Sequence, residues 1–252
     1  MEINEALARN VLRVVDAGLV RGLGTPEPGK MCVEAAVNYA MGRPHGDQPA
    51  CVADSLRRLK IKLNDSRWSS DKARAKGLRR LAIAQLGSAG TLDEVEFTKR
   101  VATLAIQVCV PEALRAAAKI QKDGKHQYKL LRAASLCESD PTRANAVSAG
   151  KTARAAAADA ADAAYAYAAA AAAYAAYAAD AAAYAAAAYA AYADAADAAD
   201  AAADAAAYAA AYADVAAARD KILSDYAERI VQILIDMGAP GCQWLSLTEV
   251  TP

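Results

Sequence analysis

Residues 30–51 hold the most enzyme-like group of side chains in the chain: Cys32, Glu34, His45, Asp47 and Cys51. Cys32 sits near the expected start of a helix, where the backbone dipole lowers a thiol pKa. Two chemistries follow from these residue types. Cys32 as nucleophile, His45 as base and Asp47 as orienter would make a thiol enzyme. Cys32, His45 and Cys51 with a carboxylate would make a metal site. Neither spacing is a recognised signature, and residues two apart rarely form a base–orienter pair. The plainer expectation is that Cys32 and Cys51 are small core residues joined by a loop, because free Cys is among the most buried residue types. No Walker, GxGxxG, HExxH, GxSxG or zinc-finger pattern occurs. The expectation is therefore a protein with no catalytic residues, no cofactor and no metal, with the Cys32/His45/Asp47 enzyme as the alternative.

A second group is denser. From Arg57 to Arg80 there are ten cations (Arg57, Arg58, Lys60, Lys62, Arg67, Lys72, Arg74, Lys76, Arg79, Arg80) against Asp65 and Asp71, a net charge of +8. Lys72, Lys76, Arg79 and Arg80 fall on one helical face at i, i+4, i+7 and i+8. Such a face can hold a phosphate-bearing partner through charge-assisted hydrogen bonds. Trp68 lies between the two basic helices, where its ring could stack on a base. The candidate binding set is thus Arg57, Arg58, Trp68, Lys72, Lys76, Arg79 and Arg80. The competing reading is a solvated face, or one that docks on acidic helices of the same chain. His126, in a Lys-rich stretch, reads as a solvated loop or helix start.

The elements that must position these groups are helices. Ile3, Leu7, Val11, Val14 and Val15 repeat at helical spacing and predict a helix over 3–22. A second covers 31–41, ended by Gly42. Pro49 opens a third, 49–63, with Leu56, Leu59 and Leu63 as its apolar stripe. A Ser caps a fourth, 70–86, in which Leu78, Leu81 and Ala82 face inward. Thr91 to Glu94 form a capping box for a helix to about Val108, and Val110-Pro111-Glu112 restarts another. His126–Leu136 is a short helix. Ser139-Asp140-Pro141 caps and opens the next, and Gly150 is the last breaker before a very different segment.

Residues 155–218 contain 46 Ala, eight Asp, nine Tyr and Val215. Ala has the highest helix propensity, because its side chain loses no rotamer freedom. One helix over this span would be about 96 Å long, too long for a compact domain of this size, so the segment must fold back or form a rod. Tyr and Asp recur mostly at three- or four-residue steps, which share a helical face. The step shrinks to two at Tyr165/Tyr167, Tyr192/Asp194 and Tyr212/Asp214, and the expected breaks lie near Asp180 and Asp194–Asp197. Ala faces let helices approach closely, with Tyr supplying the large buried area. Residues 163–179 carry no charge, but Ala and Tyr are poor membrane formers, and no span is expected there. An amphipathic helix through Ile222, Tyr226, Ile230, Ile233 and Leu234 follows, then a tail anchored by Trp244.

The fold class expected is all-α: a multi-helix array of stacked antiparallel helices with a tightly packed Ala-rich block. Residues 1–150 carry 24 Lys and Arg against 16 Asp and Glu, net +8; residues 151–252 carry 5 against 13, net −8. The two portions are expected to form one continuous fold. Met1 is not followed by a signal-peptide pattern, and five widely spaced Cys without a CxxC fit free thiols in a reducing cytoplasm.

The segments CVEAAV (32–37), PHGDQPACV (44–52), LKIKLNDSRWSS (59–70), GLRRLAIAQLGS (77–88) and APGCQWL (239–245), with the Ala-rich helices, give the chain a resemblance. It is similar to bacterial immunity-protein sequences and to uncharacterised Ala-rich helical proteins of bacteria and their phages. The resemblance implies a non-secreted interaction protein of bacterial conflict or phage biology, and assigns no residue a role. Together these readings predict a non-catalytic helical protein that binds an acidic protein, a nucleotide or a nucleic acid and no membrane. A self-associating structural module, a homo-oligomer, is a further alternative.

Overall fold

A computed structural model describes residues 3–163, 166–186 and 215–249, together with 195, 197, 198, 200–202, 204 and 205. Among these the fold is all-α, with one isolated antiparallel bridge between Gly24 and Met31. The chain divides into two compact units, Met1–Phe97 with Ser224–Pro252, and Thr98–Leu223.

The first unit is built on α1 (Glu5–Asp16), α2 (Val33–Ala40), α3 (Asp54–Asp65), α4 (Asp71–Ala84) and the C-terminal part of a helix running Val215–Asp236. Asn4 caps α1, its Oδ1 accepting the Leu7 amide at 3.0 Å, and Ala8, Val11, Leu12, Val14 and Val15 are buried. The helix stops at Asp16, six residues before the expected end. Gly18 adopts φ +121, and the Leu19 and Val20 amides turn away to the Asp71 and Met31 carbonyls. α3 begins at Asp54 and is not opened by Pro49, whose carbonyl accepts the Val52 amide in a turn. Ala53 offers α3 no side-chain cap, so Glu94 supplies one from outside: its Oε2 accepts the Ser55 amide at 2.7 Å. Ser70 caps α4, and Leu78, Leu81 and Ala82 are buried as expected. After Gly238 (φ +69) a 3-10 helix, Pro240–Thr248, packs on α4. Its anchors are Gly241 and Leu245, which are buried, whereas Trp244 is half-buried. A Cβ on Gly241 would lie 2.2 Å from the Ile83 carbonyl oxygen, so the backbones meet there directly.

Within α5 (Glu94–Leu104) the chain passes into the second unit. Asp93 caps α5 through the Val95 and Glu96 amides, not the Thr91 box, because the Thr91 hydroxyl donates to the Gly87 carbonyl. No break separates α5 from α6 (Val110–Ile120). A π turn, Ala105–Cys109, joins them; the wider turn accommodates Pro111, which lacks an amide hydrogen and crowds the preceding turn. By length and composition Glu94–Ile120 is the one described helical stretch that could cross a membrane, and 67% of its apolar window is buried in the fold.

α7 (Gly124–Ser139) is capped by Asp123, and α8 (Arg143–Asp162) by Thr142, with Pro141 ahead of the helix and not at its first position. Gly150 does not break α8. It is buried inside the helix, where an added Cβ would lie 3.5 Å from the Ala179 Cβ and 2.9 Å from Asp180 Oδ1. α9 (Ala166–Ala185) runs through Asp180 without a break. Asp180 pairs with Arg154 and Ala179 lies against Gly150, so α8 and α9 form an antiparallel hairpin; Ala149, Ala153, Ala156 and Ala160 of α8 and Ala172, Ala175, Ala176 and Ala179 of α9 are buried. α8 ends at Asp162 and α9 begins at Ala166; Tyr165 of the Tyr165/Tyr167 jump lies outside the described residues. The other two jumps lie outside the described residues, as does the second expected break except for Ala195 and Asp197, which are helical.

Candidate functional site

In the cysteine–histidine group of 30–51, Cys32 and His45 each take backbone partners. Cys32 is the cap of α2 and its Sγ accepts the Ala35 amide at 3.4 Å. Burial pushes its thiol pKa up, and this outweighs the lowering by the Ala35 and Glu34 amides. Burial thus overrides the dipole argument. His45 Nε2 lies 3.1 Å from the Gly24 carbonyl, to which it donates. Cys51 is near Met41, 3.7 Å between sulfurs. Among the described residues no three His, Cys, Asp or Glu are placed to share a metal ion. What the region contains instead is an ion pair. Glu34 on α2 and Lys60 on α3 are both fully buried, with Nζ 3.1 Å from Oε1. Burial pushes the Glu34 pKa up and the Lys60 pKa down, while each partner's charge opposes the shift.

The basic stretch 57–80 is mostly spent on the fold. Lys60 is in the core. Arg57 and Arg58 share Asp54 and hold its carboxyl below the usual range. Arg74 is buried and donates to the Asn64 and Leu19 carbonyls at 2.7 and 2.9 Å. Arg79 grips Asp16 at 2.6 and 3.0 Å, and Arg80 grips Glu228 at 2.9 and 3.1 Å. Asp159, Asp180 and Asp204 of the alanine segment pair with His126, Arg154 and Arg219. For these residues, the expected match between basic helices and alanine block gives way to nearer partners. Trp68 is 7% exposed, donates its indole N–H to the Leu63 carbonyl at 2.9 Å and packs on Gly77. It anchors the core and is not available to stack on a base. Lys72 and Lys76 remain exposed.

A different cationic site lies in the second unit. α7 buries His126, Leu130, Ala134 and Cys137, a single stripe at helical spacing. His126 is therefore buried, not solvated, and pairs with Asp159. The opposite side of α7 faces solvent. With the first half of α8 it borders a groove of about 660 Å³. Lys125, Lys129 and Arg132 line it from α7 and Lys151 from α8, and among the described residues its lining includes no carboxylate. Among the described residues none of the four cations forms an ion pair.

Two further features give the groove its character. Tyr128 stands in it 61% exposed, with the Arg132 guanidinium carbon 5.9 Å from the ring centroid, a cation–π distance. The flanking acids are engaged: Asp159 with His126, Glu138 with Arg115, Asp140 with the Asn145 amide. Arg115 holds the Glu138 carboxyl below its ordinary value.

Sequence reasoning passed over this site. Lys125, Lys129 and Arg132 stand at i, i+4 and i+7, the same kind of signal used for 72–80, but at lower charge density. Lys151 comes from the next helix, and only the α7–α8 packing brings it in. Comparisons with family models, curated proteins and solved structures return no match, so the groove is read from its own geometry.

Proposed function

We propose that this is a non-catalytic helical binding protein, and that the groove between α7 and α8 holds an anionic, phosphate-bearing partner. The observation that carries this reading is the convergence of Lys125, Lys129, Arg132 and Lys151 on one groove, with no carboxylate among the described residues of its lining. Ammonium and guanidinium groups bind phosphate oxygens through charge-assisted hydrogen bonds. Ser148 on the same wall adds a hydroxyl donor, while the Thr152 hydroxyl donates to the Ser148 carbonyl at 3.1 Å. The five free cysteines support a reducing cytoplasm as the place of action, and the resemblance to immunity-protein sequences supports a part in bacterial or phage conflict.

The test is retention on heparin. Lys129→Glu with Arg132→Glu reverses two groove charges on exposed positions, and Lys72→Glu with Lys76→Glu is the matched control on the first unit. The groove variant is expected to elute at much lower salt, with unchanged helical circular dichroism, and the control to behave as the parent. Equal elution of parent and groove variant would refute the reading.

A further inference from the structure

We infer that the partner of the α7–α8 groove is a single-stranded nucleic acid, bound by its backbone on the four cations and by an unstacked base on Tyr128. This rests on the anion-binding reading above and narrows it to one class. Lys125, Lys129 and Arg132 follow one another along α7 at rises of about 6 and about 4.5 Å, a track for consecutive phosphates, and Lys151 faces them from α8.

Tyr128 decides among polyanions. Its ring is mostly exposed, amid cations, with Arg132 beside it. A duplex keeps its bases stacked and hidden from such a ring, whereas a single strand offers a π-face at every nucleotide. Leu131 and Leu136, also exposed on α7, extend the apolar strip beyond the tyrosine. An acidic protein partner is less well matched, because protein interfaces are anchored by buried pockets and here the apolar groups are interleaved with charge. Among the described lining residues there is no amide or carboxylate side chain to read adenine or cytosine edges, and stacking on Tyr128 accepts any base.

The experiment is fluorescence anisotropy of the full chain with three labelled probes: a dT12 single strand, a 12-base-pair duplex and a poly-glutamate peptide, each over a salt series. The single strand is expected to bind tightest, with log K falling against log salt at a slope of about −3, from four contacts at about 0.7 each. Tyr128→Ala should weaken the single strand about 5- to 150-fold, the range of one lost base stack, at unchanged salt slope. Tyr128→Phe should bind as the parent does. Lys129→Ala should reduce the slope by about 0.7. Tighter binding of duplex or poly-glutamate, or no effect of Tyr128→Ala while Lys129→Glu abolishes binding, overturns the single-strand inference and leaves an anion site. Binding of none of the three probes overturns both.

Discussion

Lys60→Met removes an ammonium from the core of the first unit and leaves the Glu34 carboxylate there alone. Both side chains are fully buried and their charges are 3.1 Å apart. At an effective dielectric of about 20, that separation gives an attraction of about 5 kcal/mol. Withdrawing the two ions from water opposes it by several kcal/mol each. The intact pair therefore contributes little net stability, while its unpaired half is expensive. Lys60→Met is expected to destabilise the unit by about 3–5 kcal/mol, and Glu34→Leu with Lys60→Met to recover that loss or exceed the parent by about 1–4 kcal/mol. Both tryptophans, Trp68 and Trp244, belong to the first unit, so urea unfolding followed by tryptophan fluorescence reports it selectively. The single variant also acquires a pH signature. Burial raises the Glu34 pKa, and without Lys60 nothing in the pair opposes the rise. A carboxyl whose folded pKa exceeds its unfolded value stabilises below the unfolded value, near pH 4.3, and loses that contribution as pH climbs through the folded value. Lys60→Met should thus lose stability from acid toward neutral pH more steeply than the parent. A loss below about 1 kcal/mol, or a double variant as unstable as the single, would refute this account of the pair.

Other expectations are read from individual contacts. Gly241→Ala drives a methyl toward the Ile83 carbonyl, 2.2 Å from the ideal Cβ. The groups in the way are backbone, so a loss of at least about 2 kcal/mol in urea unfolding is expected. Loss of less than about 0.5 kcal/mol would show that the 3-10 helix docks more loosely than this. Glu94→Ala removes the cap that Oε2 gives the Ser55 amide and should cost about 1 kcal/mol by the same assay; a neutral result would assign the cap to water. The Cys242 thiol, half-buried, has its pKa pushed up to about 11 by burial. Its alkylation by iodoacetamide, followed by peptide mass spectrometry, should be slow at pH 8 and rise about tenfold per pH unit toward 10, because the thiolate is the nucleophile. Fast labelling at pH 8 contradicts the burial argument. Cys32, Cys109 and Cys137, all buried, should label only after unfolding.

The helices of the first unit were legible where a stripe met a cap, as in α4, with Ser70 before it and Leu78 inside it. They were misread where an end depends on tertiary contacts. Nothing local in 17–22 says that Leu19 and Val20 bond to Asp71 and Met31, and Pro49 looked like a helix opener only because the Glu94 cap of α3 comes from 39 residues away. Gly150 shows the same limit: a glycine reads as a breaker until its neighbour is a second helix. The charged residues were the least legible. Ten cations within 24 residues suggested a binding face, yet Lys60 and Arg74 are buried and Arg79 and Arg80 are held by Asp16 and Glu228. The cationic groove arises where α7 and α8 meet, from three cations on one face of α7 and Lys151 brought in from the next helix.

The hairpin of α8 and α9 has a consequence for how its sequence can change. A seam of methyl groups is nearly uniform along its length, so sliding one helix a turn past the other would replace alanine by alanine at most contacts. Uniform surfaces specify register weakly, as flat strands do. What marks the alignment is the notch at Gly150, opposite Ala179, and the Arg154–Asp180 pair at its rim. Such a hairpin can gain or lose whole turns at its far end without repacking, provided these marks stay opposite one another. Its low complexity is then a tolerance for length variation, with the few non-alanine residues acting as the graduations that fix the slide.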